Sequence, residues 1–206
     1  TPLLRALRAS LPGVRFLDFL DSFRYPLSGE FGIAADTARQ LPLPCDWGVD
    51  LAILAEAFGR LEPDTICQVE CCMRFEHKHR ALVTGEQAGG LDRMAGDVAL
   101  RIFQTLHRHG AELGAEFLEN LPAAYLGECA RLARAYEIDS RINGLFYDPA
   151  SEDAAVKTFE RSIADAIERF LPAPGRQDVL PSWELISKTD PGIWRSLATA
   201  VRASFL

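Results

Sequence analysis

Beyond residue 90 the chain is paced for helix. Segments 91–109, 115–137, 151–171 and 182–205 carry apolar residues three and four positions apart, the repeat that turns one face of an α-helix toward a core. The run "LPAPGRQDVLPSW" breaks this pattern with prolines and a glycine. No internal repeat, heptad or low-complexity tract competes with it. The second part of the chain is therefore committed to helices packed on one another.

The first 90 residues read as a small α/β portion, which makes the whole α/β and α-rich. "VRFLDFL" (14–20) is a strand candidate, closed by "DSFRYPLSGEFG" with turn-forming Pro26, Gly29 and Gly32. Asp46 stands where a helix N-cap belongs, ahead of "WGVDLAILAEAFGRL", an almost wholly apolar helix that predicts burial on most of its surface. "DTICQVECCMRFE" alternates as a strand, with Cys67, Val69, Cys71, Met73 and Phe75 on a core face and Gln68, Glu70, Cys72, Arg74 and Glu76 on a polar one. The domain reading is 1–90 followed by a helical region, 91–206.

Composition narrows the function. A net charge of −7 with a pI near 5.2 lacks the clustered Lys and Arg that phosphate neutralisation needs, which argues against nucleic acid as a partner. The 5 cysteines, an odd number with Cys71 and Cys72 adjacent, make no disulfide framework. With no signal peptide and no apolar run long enough for a bilayer, a reducing cytoplasm and no membrane are the expectation.

The chemistry-bearing stretch is "CQVECCMRFEHKHRAL" (67–82). Along a strand Cys67 and Cys71 stand about 13 Å apart, too far to share one Zn²⁺. His77 and His79, two apart in an extended segment, point the same way, and either imidazole can reach a divalent ion; an exposed strand end would look the same. Asp50 lies in the first turn of the apolar helix, as a macrodipole partner or as a general base for a substrate hydroxyl. Glu30 in "LSGEFG" is a carboxylate in a turn, open to catalysis or to structural hydrogen bonding. His107 and His109, before Gly110, read as helix C-terminal dipole partners, and Trp183 and Trp194 as packing anchors of the last helices.

Taken together, "FRYPLSGEFG", "LPCDWGVDLAILAEAF" and "ICQVECCMRFEHKHR" resemble, in order and spacing, the retaining GT-A glycosyltransferases that make glucosyl-3-phosphoglycerate or mannosyl-3-phosphoglycerate. The resemblance covers roughly residues 3–170. It implies the C-terminal half of a GT-A-type nucleotide-diphospho-sugar transferase domain followed by a helical extension, with a UDP- or GDP-sugar donor and 3-phosphoglycerate as acceptor. His77, with His79 as the alternative, would join Asp-x-Asp carboxylates on Mg²⁺ or Mn²⁺. Asp50 would stand beside the acceptor hydroxyl, Trp47 would line the acceptor pocket, and Arg74 and Arg80 would meet the acceptor's phosphate and carboxylate. Gly29 and Glu30 fall in the segment bordering the transferred sugar.

The chain holds no Asp-x-Asp and no Gly-rich βα turn before residue 14. It therefore reads as one half of an enzyme, inactive without its N-terminal half; a homodimer is compatible with the resemblance. Two rivals stand beside this reading. One is a non-catalytic helical module that binds a protein partner. The other is a metal-dependent phosphohydrolase built on His77 and His79, disfavoured because two histidines alone hold Mg²⁺ poorly.

Overall fold

A computed structural model describes residues 1–70 and 90–204. Helix α1 (Pro2–Ser10) starts on a proline, whose missing N–H costs nothing in a first turn, and α2 (Arg15–Ser22) follows after a tight bend. Then come α3 (Ala35–Gln40), α4 (Val49–Arg60) and a single 3₁₀ turn at Pro63–Thr65. The second part holds α5 (Leu91–Arg108), α6 (Ala115–Ile142), α7 (Pro149–Phe170), α8 (Trp183–Thr189) and α9 (Ile193–Ser204). Asp148 caps α7 by accepting the Ala150 N–H at 3.0 Å, and Ser182 caps α8 through Leu185.

The strand expected over 14–20 is instead α2. Phe16, Leu17 and Leu20 are buried together, a one-and-four spacing that a helix satisfies and an alternating strand cannot. The opposite face carries Asp18 and Asp21, three apart, and both pair with Arg8 of α1. The segment 66–70 forms neither strand nor helix, and two of its expected core positions are exposed, Cys67 and, at 71%, Val69. Residues 71–76 of that expected strand lie outside the described residues. Among the described residues the β-structure is one isolated antiparallel bridge between Leu43 and Leu180.

Helix α5 is the axis of the molecule. Its stretch from Gly96 to Leu106 is buried almost without interruption, with α7 packed along one side and α4 on another. Phe103 and Phe170 meet edge to face at 5.8 Å, and Leu106 and Ala166 are fully buried beside them. Helix α6 buries Leu118, Leu121, Tyr125, Cys129 and Leu132 at three- and four-residue spacings against α1 and α7, and tolerates Pro122 in its interior. Phe16, Phe19 and Phe58 form an aromatic knot between α2 and α4, with the His109 ring 5.9 Å from Phe16 and 5.4 Å from Phe58. One hydrophobic core thus draws on α1, α2, α4, α5, α6 and α7, on both sides of residue 90.

The last helical segment, 182–205, is divided at Asp190–Gly192 into α8 and α9, as the Pro191-Gly192 pair in the sequence allows. Trp183 and Trp194 stack at 5.0 Å and tie α8 to α9, anchoring these helices to each other while staying exposed to solvent. No helix among the described residues is long and apolar enough to cross a membrane.

Candidate active site

The site is assembled at the N-terminal mouth of α4, and its position is set by the turn Asp46-Trp47-Gly48. Asp46 is not the helix cap; the cap position is Gly48, and no side chain caps it. Asp46 instead closes the turn, accepting the Gly48 N–H on Oδ1 at 2.8 Å, and receives Arg101 Nη2 of α5 on Oδ2 at 3.3 Å. A glycine is required at 48 because the turn lies directly on α5. A Cβ there would fall 2.9 Å from Asp46 Oδ1, 3.2 Å from Arg101 Cβ and 3.3 Å from the Asp97 carbonyl.

Trp47 leaves this turn 46% exposed, while its backbone N–H points back toward Asp97 Oδ2 at 3.4 Å. Asp50 follows in the first turn of α4 and is half-buried. Burial lifts its carboxyl above the ordinary aspartate value, which makes it a readier proton acceptor than a solvated one. The loop carrying "LSGEFG" comes to the same mouth. Gly29, at φ +65°, sits so close to α4 that a Cβ built on it would lie 3.9 Å from Asp50 Oδ2. Glu30 is exposed, its backbone closing on Ser28: the Ser28 hydroxyl donates to the Glu30 carbonyl at 3.0 Å, and the Glu30 N–H donates to Ser28 Oγ at 3.3 Å.

The structure therefore brings Gly29 and Asp50 together, two residues far apart in sequence, with Trp47 on the same turn and Glu30 next to Gly29. The loop is held from the other side as well. The Arg24 backbone N–H donates to the Gln68 amide oxygen at 2.9 Å, and the Arg24 guanidinium pairs with Glu70 at 3.1 Å. Arg74, Arg80, His77 and His79 lie outside the described residues. Among the described residues no three His, Cys, Asp or Glu side chains converge as a metal site would require, so those residues do not by themselves fit a divalent ion.

Sequence reasoning missed the support beneath the mouth. Asp97 and Arg101 of α5 are 4% and 5% exposed. Asp97 is clasped by Arg169 of α7 at 3.0 Å, with Arg93 further out at 3.8 Å, while Arg101 Nε finds no hydrogen-bond partner among the described residues. The signal was present: two opposite charges four apart inside the apolar run "MAGDVALRIF" mark a buried pair on one helix face. His107 and His109 do close α5 as expected, and they also pack as rings, His107 on Phe170 and His109 on Phe16 and Phe58.

No family model and no solved structure matches the chain. Among curated proteins the chain is homologous, over almost its whole length, to synthases. Those relatives are named glucosyl-3-phosphoglycerate synthase. The one from Persephonella marina is 36% identical over 201 residues, covering 98% of this chain and 50% of the relative. The one from Methanococcoides burtonii is 30% identical over 205 residues, 97% of this chain and 48% of the relative. A Mycobacterium tuberculosis relative of the same name is 34% identical over 92 residues, 45% of this chain. The chain spans about half the length of the first two relatives. The resemblance read from the three motifs is borne out by these relatives, all of them named for the glucosyl product.

Proposed function

We propose that this chain is the acceptor-binding half of a GT-A glycosyltransferase that moves glucose from a nucleotide sugar to 3-phosphoglycerate with retention. The observation that carries it is the half-buried Asp50 carboxylate facing Gly29 at the mouth of α4, in a chain homologous throughout to glucosyl-3-phosphoglycerate synthases. In the reaction a bond forms between the acceptor hydroxyl oxygen and the sugar's anomeric carbon as the bond to the nucleotide diphosphate breaks. Asp50 holds that hydroxyl and accepts its proton, Trp47 covers one side of the acceptor, and Gly29 leaves room for the sugar, with Glu30 at its edge. Arg74 and Arg80 take the acceptor's phosphate and carboxylate, since a guanidinium fork matches both. His77, or His79 two residues on, provides one ligand to Mg²⁺ or Mn²⁺, and the carboxylate ligands and nucleotide site come from the other half of the enzyme.

The test is an assay of the complete reading frame with 3-phosphoglycerate and UDP- or GDP-glucose. Asp50→Asn is expected to lower turnover about 10² to 10⁴-fold with the thermal midpoint preserved. Unchanged turnover would return Asp50 to the role of a helix-terminal carboxylate. The chain alone is expected to show no transfer.

A further inference from the structure

The mouth of α4 rests on a buried charged frame that the chemistry above does not use. Asp97 of α5 is buried where α7 and the turn before α4 meet it, and its two oxygens face different ways: Oδ1 accepts from Arg169 Nη1 at 3.0 Å, and Oδ2 faces the Trp47 N–H at 3.4 Å. Four residues along α5, Arg101 reaches Asp46 at 3.3 Å on the other side of the same turn. The turn is thus gripped from below at Asp46 and Trp47, with Gly48 pressed against Arg101 and the Asp97 carbonyl.

Such a frame is a poor way to gain stability. Taking an aspartate and an arginine out of water costs about what their attraction returns, and apolar residues of equal volume would hold the helices together as well. Nor is it needed to join α4 to α5. At the far end of these helices Glu56 already does this, receiving Arg108 of α5 at 2.7 Å and Arg60 at 2.8 Å. What the Asp97 frame does, and Glu56 does not, is orient the backbone of the turn from which the exposed Trp47 side chain leaves.

We propose that Asp97, held by Arg169, is a positioning residue that sets the Trp47–Gly48 turn and thereby the affinity of the mouth for its anionic acceptor. This rests on reading that mouth as the acceptor site. The helical second part of the chain, through α5 and α7, thus governs a site whose contacting residues all lie in the first part.

The experiment uses the 206-residue chain labelled with 5-fluorotryptophan, whose Trp47 resonance is assigned with Trp47→Phe, and titrated with 3-phosphoglycerate. Asp97→Asn and Arg169→Gln are expected to displace the Trp47 resonance and raise the dissociation constant about tenfold, as loss of a supporting contact does. Glu56→Gln, which loosens the same pair of helices, should leave both unchanged. Arg169 is half exposed, so Arg169→Gln decides the matter even if Asp97→Asn fails to fold. A Trp47 resonance that stays in place in folded Arg169→Gln, or that moves as far in Glu56→Gln, overturns the proposal. If the parent chain binds no 3-phosphoglycerate while the resonance still moves selectively, the positioning role stands and the acceptor reading falls.

Discussion

Two carboxylates on α4, six residues apart, respond to pH in opposite senses. Burial pushes the Glu56 carboxyl up, but the hydrogen bonds and charges of Arg60 and Arg108 outweigh it and hold the group below its ordinary value of 4.5. The stability Glu56 adds is therefore complete above that value and is lost as pH falls through the lower folded one. Asp50, lifted by burial above 3.8, does the reverse: its charged form costs stability at neutral pH, and the cost is relieved as pH falls through the raised value. Glu56→Gln is expected to destabilise by about 1–3 kcal/mol at neutral pH, with the difference shrinking in acid. Asp50→Asn should leave the fold as stable or slightly more so at neutral pH. Urea midpoints of the variants at neutral and acid pH check both. Under the proposed reading, Asp50 is held where the fold does not favour its charge, as a group used for proton transfer would be.

Between elements, the contact that matters most is the crossing of the turn before α4 over α5, where Gly48 allows backbone to lie on backbone. Gly48→Ala is expected to destabilise by more than about 1 kcal/mol, because the new Cβ meets Asp46, Arg101 and the Asp97 carbonyl, and two of those obstacles cannot swing away. Thermal melting reads the loss, and a Trp47 signal shifted as in Asp97→Asn would show that the same turn has moved. Much of this layer was legible. Helices α4, α5, α6 and α7 follow the spacing of their apolar residues because each buries one face in a shared core. Helix α2 was misread since a short run rich in phenylalanine and leucine fits strand composition, and only the adjacent burial of Phe16 and Leu17 and the paired aspartates on the other side betray the helical repeat. Helix α3 buries no residue and so left no apolar pattern to read. At the candidate site, motif and position singled out Asp50, Trp47 and Gly29, whereas Asp97 and Arg169 meet across 72 residues, a distance that local patterning does not report.

For the molecule as a whole, the single core joining α1, α2 and α4 to α5, α6 and α7 predicts that these helices melt together, although the candidate-site residues lie before residue 90 and most of the helix after it. Helices α8 and α9 stand apart from that cooperativity: neither buries a described residue. Their mutual contact is the parallel stack of Trp183 and Trp194, at an interplanar angle of 22°. Two indoles this close share their electronic excitations, so the pair should print a couplet of opposite-signed bands on the far-ultraviolet circular dichroism of the protein. That couplet should vanish in Trp194→Phe and, in the parent chain, fade on heating before the helical signal does, giving an optical clock for the release of the last two helices from each other.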